Sequence, residues 1–96
     1  MLMLNAAPNR RRVSRCGFIV AKRLGSAVVR NRIRRRVREA VRLLYPQIAP
    51  GWDMVFVARS PALAEIAFAQ LQALVWQLLQ HAGVAQGTVS GSSDNG

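Results

Sequence analysis

The sequence predicts an α/β fold of the α+β sandwich kind, one domain with helices packed on a small sheet. Three observations carry this. Apolar residues alternate from Val13 to Val20 and run together from Trp52 to Ala58, which are strand patterns. They recur every three to four residues through Val29–Leu44 and again through Leu71–Leu79, which are helical patterns. Glycine, proline and small polar residues separate these segments.

Residues 1–7 are short and apolar, with a polar, proline-containing exit from Asn5 to Arg12, the pattern of a strand running into a loop. In the next segment Cys16, Phe18 and Val20 fall on one side and Arg15, Gly17 and Ile19 on the other, so the first two strands are expected to form an antiparallel pair. After the loop from Lys22 to Ser26, apolar Val29, Ile33, Val37, Ala40, Val41 and Leu44 wind into one stripe at about 100° per residue. Ser26 is placed to cap that helix, and Pro46 ends it because proline cannot continue the hydrogen-bond ladder. Pro50 and Gly51 turn the chain into Trp52–Ala58, which is apolar on both sides apart from Asp53 and so suits an interior strand. Ser60 and Pro61 read as the cap and first-turn proline of a last helix that ends near His81, with Gly83 as its left-handed terminator. Leu71, Leu74, Val75, Leu78 and Leu79 form its inner stripe, and with Trp52 and Phe56 they are expected to make most of the core. The domain is expected to span residues 1–83, and residues 84–96, rich in Gly, Ser and small polar residues, are expected to be a disordered tail.

A chain of 96 residues supports one modest core and leaves little room for a large enzyme pocket. Its 14 Lys and Arg against 4 Asp and Glu give a formal charge of +10, so a polyanion is the expected partner. All the cations but Arg59 lie between Arg10 and Arg42, where Glu39 is the only acid, while beyond Leu43 Arg59 faces Asp53, Glu65 and Asp94. The first half binds and the second half packs. Cys16, alone, excludes an internal disulfide and a cysteine-ligated zinc, and it suits a reducing compartment. The opening MLMLNAAP has neither a charged leader nor a long apolar run, and Ala62–Ala82 is broken by Glu65 and four glutamines, so it reads as amphipathic rather than membrane-spanning. A cytoplasmic location, no membrane association and no obligate protein partner are the expectations.

The most informative segment is VRNRIRRRVREAVR, from Val29 to Arg42, with seven arginines and a single acid. Asn31, Arg34, Arg35, Arg38 and Arg42 lie opposite the apolar stripe, and Arg30, Arg32 and Arg36 flank it. Each guanidinium presents a planar fork of donors that fits phosphate oxygens and stacks on bases, and it stays charged at any relevant pH. Like charges four apart, such as Arg30 with Arg34, Arg34 with Arg38 and Arg38 with Arg42, each cost roughly a few tenths of a kcal/mol in an isolated helix. A solvated charged face would mix in Glu and Lys, and this one does not; a bound polyanion would relieve the repulsion.

At this point the chain resembles a known family, the protein component of bacterial ribonuclease P. The resemblance rests on GFIVAKRLGSAVVRNRIRRRVREAVRLL, Gly17 to Leu44, followed by GWDMVFVARS, Gly51 to Ser60, and covers about the first eighty residues in order. An Arg-Asn-Arg triplet opening a basic helix is matched by Arg30, Asn31 and Arg32, with further cations at Arg34, Arg35 and Arg38; the triplet alone is weak, and the surrounding order makes it specific. The resemblance implies a small mixed sheet with a left-handed β-α-β crossover, against the usual right-handed preference. It implies that the basic helix, including Arg42, and the Lys22-Arg23 loop contact the catalytic RNA, that a cleft on the exposed sheet face takes the 5′ leader of precursor tRNA, and that the whole assists endonucleolytic 5′ maturation of tRNA. The protein would then be a non-catalytic subunit of a ribonucleoprotein endonuclease, with Mg²⁺ in the holoenzyme held mainly by RNA and none by the protein alone. By position, Phe18 either offers its ring to an unstacked leader base or is ordinary core; alternation does not decide which. Family members ordinarily begin with a basic helix and a short strand upstream of the point where this sequence opens, which makes Met1 or Met3 an expected internal methionine.

Other residues have plainer expectations. Cys16 reads as a small strand hydrophobe, His81 as a partner of terminal helix carbonyls, and Glu39 as a local partner of Arg35 or Arg42. Asn31 is suited to bracing the helix entry, to RNA or to a hydrated Mg²⁺. No nucleophile and base pair or metal-ligand spacing is present, so no catalytic residue and no protein-held metal are expected. The rival readings are a general basic RNA-binding or ribosomal protein without a leader cleft; a helix-turn-helix DNA binder, which would want a short helix just before the basic one; and a free-standing nuclease, which would want more acids.

Overall fold

Residues 1–85 are described by a computed structural model, in which three strands form one sheet. They are β1 (Leu2–Pro8), β2 (Arg15–Val20) and β3 (Trp52–Ala58), in the order β1-β3-β2. β1 runs antiparallel to β3, with Leu4 opposite Phe56, and β2 runs parallel to β3, with Phe18 opposite Phe56. The sheet is therefore mixed, and the expected antiparallel pair of the first two strands does not form. The reason lies in β3: of the three it has the densest apolar run, so it takes the central place and separates the others.

Helix α1 (Ala27–Leu44) links the two parallel strands, and α2 (Phe68–His81) follows β3. Ser26 caps α1 as expected, its hydroxyl accepting the Val29 N–H at 3.3 Å. Both helices pack on the face of β3 that carries Met54, Phe56 and Ala58. Ile33, Val37, Ala40 and Val41 come from α1 and Leu71, Val75 and Leu79 from α2, and all are buried. Leu74, Leu78 and Trp52 are only partly buried at the margin, so the core rests more on Phe56 and α1 than on Trp52 and the full leucine stripe. Among the described residues no helix covers the opposite sheet face, where Met3 and Ile19 are exposed.

Two expected boundaries move. Ser60 and Pro61 open not α2 but a four-residue 3-10 turn, Pro61–Ala64, in which the Ser60 hydroxyl accepts the Ala62 N–H at 3.2 Å. Leu63 and Ala64 bury themselves against α1, the chain breaks, and α2 starts at Phe68 with the Gln70 side-chain oxygen accepting the Ala67 N–H. At the other end Gly83 takes the left-handed conformation expected of it (φ 77°) and turns the chain back. Val84 is then fully buried, its carbonyl accepts the Ala49 N–H at 2.7 Å, and Ala85 bridges to Ile48. Residues 84 and 85 thus belong to the domain rather than to a tail; the rest of the expected disordered tail lies outside the described residues.

Polar ties fix the end of the sheet where all three strands meet loops. The buried Ser14 hydroxyl donates to the Ala49 carbonyl at 2.7 Å and accepts the Trp52 N–H at 3.0 Å, while its carbonyl accepts from the Tyr45 hydroxyl at 2.8 Å. This joins the start of β2, the end of α1 and the start of β3. Beside it Arg15 donates to both oxygens of Asp53 at 3.0 Å, and the Asn9 amide adds a third bond at 2.8 Å. These donors, Arg15 first and Asn9 second, hold the Asp53 carboxyl at a pKa of about 2. A carboxyl depressed in the folded state contributes stability that is complete above its unfolded pKa and lost as pH falls from there through the folded value. Asp53→Asn is therefore expected to flatten the fall in Tm between about pH 4 and pH 2. Acid melts of the two proteins check this, and parallel curves would contradict it.

Candidate nucleic-acid interface

The basic residues are presented by α1 and the turn before it. Lys22 and Arg23 lie exposed in a 3-10 turn, Lys22–Leu24, anchored by the buried side chain of Leu24. On α1 the buried stripe through Ile33, Val37, Ala40 and Val41 fixes the rotation of the helix, so its cations divide into an outer face and two flanks.

The outer face holds Asn31, Arg35 and Arg42. Asn31 braces its neighbour: its side-chain oxygen accepts from Arg34 Nη1 at 2.8 Å. Arg42 pairs with Glu39 through bonds of 2.9 and 2.6 Å, which settles the partner of that acid and holds the Glu39 carboxyl below its ordinary pKa. Among the described residues this pair and Arg15 with Asp53 are the only salt bridges, so six of the seven arginines on α1 carry charge that no carboxylate offsets.

The first flank faces β2 and holds Arg30, Arg34 and Arg38. Arg30 Nε donates to the Gly25 carbonyl at 3.2 Å, tying the helix entry to the Lys22–Leu24 turn. Arg38 sits over the Phe18 ring with its guanidinium carbon 5.7 Å from the ring centroid. Phe18 itself stacks on the buried Phe56, centroids 5.9 Å apart and planes 14° from parallel. Its place is therefore intermediate between the two alternatives: it rests on the core and still lines an open groove of about 440 Å³ with Cys16, Arg38, Val41, Arg42, Tyr45 and Pro46. The groove lies on the helix-bearing side of the sheet, between β2 and α1. Burial raises the Cys16 thiol pKa there, which favours the neutral form and supports the reading of a strand hydrophobe.

The second flank faces α2 and differs from expectation. Arg32 Nε donates to the Ala64 carbonyl at 2.9 Å, and Arg36 donates to the Leu63 carbonyl at 2.6 Å and also to the Ile66 carbonyl. Sequence reasoning placed Arg32 among residues free for a partner and assigned Arg36 no contact. Both instead satisfy carbonyls of the irregular segment before α2. The only advance signal was their place beside the apolar stripe, where a side chain must reach a neighbouring element.

Among the described residues no three His, Cys, Asp or Glu side chains come together. Asp53 is held by Arg15 and Asn9, and Glu39 by Arg42, so this donor set does not fit a protein-held Mg²⁺. Nor is any described helix long and apolar enough to cross a membrane.

Comparison with known proteins agrees with this arrangement. A family model described as Ribonuclease P matches residues 1–83. The chain is 87% identical over 94 residues to the ribonuclease P protein component of Roseiflexus castenholzii, covering 98% of this chain and 77% of that protein. It is 80% identical to the corresponding component of Roseiflexus sp. strain RS-1, covering all of this chain and 79% of that one. Among solved structures it is similar to the RNase P protein of Staphylococcus aureus, with a TM-score of 0.76 at 30% identity over 88% of this chain and 77% of the other. The RNase P protein of Thermotoga maritima gives a TM-score of 0.76 at 26% identity, covering 83% of this chain and 76% of that one.

Proposed function

The chain belongs to the ribonuclease P protein family, a subunit family of tRNA 5′ maturation, and from that premise we propose that its basic helix docks onto the RNA subunit while its groove guides the precursor tRNA leader. The observation that carries this reading is the set of α1 guanidiniums left without carboxylate partners among the described residues, above a buried apolar stripe. Arg30, Asn31, Arg34, Arg35 and Arg38, with Lys22 and Arg23 beside them, present donors to phosphates; Arg32 contributes through the guanidinium nitrogens not spent on Ala64; Arg42 contributes after its bond to Glu39 is exchanged. Phe18, backed by Phe56, carries Arg38 over its ring, so the guanidinium plane and the ring edge together meet a leader base at the groove.

The work of the protein in this reading is electrostatic and geometric. Two polyanions repel, and a cationic helix between them lowers that repulsion while orienting the leader. Phosphodiester hydrolysis and the Mg²⁺ that serves it belong to the RNA, and the assembly acts in the cytoplasm. Reconstitution tests the reading. Added to a bacterial ribonuclease P RNA at low Mg²⁺, the chain is expected to accelerate precursor tRNA cleavage and to prefer that RNA over ribosomal RNA of equal length. No acceleration together with equal affinity for the two RNAs would leave a general RNA binder instead. Cleavage by the chain alone would move the chemistry to the protein.

A further inference from the structure

The α2 flank of the basic helix carries a feature that leader guidance does not use. Arg32, Arg35 and Arg36 line an open pocket of about 370 Å³ together with Glu39 and Phe68, the first residue of α2. That volume lies within the range of roughly 300–1,000 Å³ typical of small-ligand sites. Two of the three guanidiniums are held in place by the backbone carbonyls of Leu63, Ala64 and Ile66. A carbonyl orients an arginine without cancelling its charge, whereas a carboxylate would do both. The pocket is thus cationic and preorganised. Glu39, the acid among its lining residues, is paired with Arg42, and the three guanidiniums outnumber it whether or not that pair persists. Phe68 is only partly buried and leaves ring surface beside the cations.

Resting on the RNA-binding reading above, we propose that this pocket is a second RNA subsite, in which Arg32, Arg35 and Arg36 hold one phosphate and Phe68 stacks the adjoining base. It deepens the docking picture because α1 then grips RNA on both flanks. Each flank pairs arginines with one phenylalanine, Phe18 toward β2 and Phe68 toward α2. The combination of a fixed phosphate clamp and an aromatic platform selects a nucleotide whose base is splayed from its helix, and continuous duplex does not offer one.

The test measures binding of the full chain to the ribonuclease P RNA and, in a separate arm, to precursor tRNA, across a salt series. The proteins compared are the unaltered chain and its Phe68→Leu, Phe68→Trp and Arg35→Gln variants. Phe68→Leu keeps an apolar side chain but loses the π-face. It is expected to weaken binding to the ribonuclease P RNA by about fivefold or more with an unchanged salt slope, and Phe68→Trp is expected to restore affinity. Arg35→Gln, whose side chain makes no salt bridge among the described residues, is expected to reduce the slope on the same RNA by about one. A response confined to the precursor tRNA arm would overturn the placement of the pocket on the RNA subunit. Equal affinities for the unaltered chain, Phe68→Leu and Phe68→Trp on both RNAs, with the Arg35→Gln slope still reduced, would overturn the subsite and leave the docking helix standing. Binding of the unaltered chain that does not weaken with salt would overturn both. Thermal melts of each variant show whether the fold is intact, and an affinity loss in Phe68→Leu that tracks its melting temperature and that Trp does not rescue would also overturn the subsite.

Discussion

Replacing Arg34, Arg35 and Arg38 together by alanine is expected to weaken binding to the ribonuclease P RNA by about 80-fold at 0.2 M salt while the domain stays folded. The magnitude follows from counterion release. Each phosphate contact contributes about 0.9 to the slope of log affinity on log salt, so three lost contacts flatten the slope by about 2.7. If the two proteins converge near 1 M salt, that difference grows to nearly two decades at about 0.2 M. Arg35 and Arg38 are exposed and Arg34 is half-buried beside Val37, and the bonds they make, to Asn31 and over Phe18, hold no fully buried residue in place. The variant also removes the like-charge neighbours Arg30 with Arg34 and Arg34 with Arg38, so its melting temperature is expected to hold or rise slightly. Filter binding over a salt series, with thermal melts in parallel, measures both quantities. Affinity within twofold of the original with an unchanged slope would show that these three arginines of α1 do not meet RNA.

What the sequence disclosed and what it withheld divide along the range of the interactions. The α1 stripe was legible because Val29, Ile33, Val37, Ala40, Val41 and Leu44 repeat within the helix itself, and the Ser26 cap sits beside it. β3 was legible as an interior strand from its own composition. Its neighbours were not: which strand lies beside which is decided by contacts between residues some forty positions apart, as in Phe18 with Phe56, and the local alternation of β1 and β2 is silent on it. The outer cations could be placed on a face by counting. The roles of Arg32 and Arg36 could not, because their acceptors are main-chain carbonyls freed by the break between Pro61–Ala64 and α2, and every residue carries a carbonyl. Ser14 was invisible for a similar reason, as a small polar residue whose value comes only from its bonds to Tyr45, Ala49 and Trp52, all far along the chain.

Phe56→Ala is expected to cost roughly 3–5 kcal/mol of folding stability, the usual range for deleting a buried phenylalanine. Phe56 is 1% exposed, lies at the middle of the central strand, and touches both edge strands' registers through Leu4 and Phe18. A domain of this size has a total stability of about 4–13 kcal/mol, so the loss is a large share of it. At about 4–8 °C per kcal/mol, the melting temperature is expected to fall by roughly 12–40 °C. The contrast with Phe18→Ala separates support from recognition. Phe18 is half-buried and stacks on Phe56 from the groove side, so its removal is expected to lower the melting temperature much less and to weaken precursor tRNA binding without weakening RNA-subunit binding. Phe56→Ala, by removing the ring on which Phe18 rests, is expected to lose precursor tRNA affinity as well, even below its own melting temperature. If Phe18→Ala instead matched Phe56→Ala in stability loss and left precursor tRNA affinity untouched at temperatures where it is folded, the Phe18 ring would be core alone, and the leader would have to be guided by some other surface.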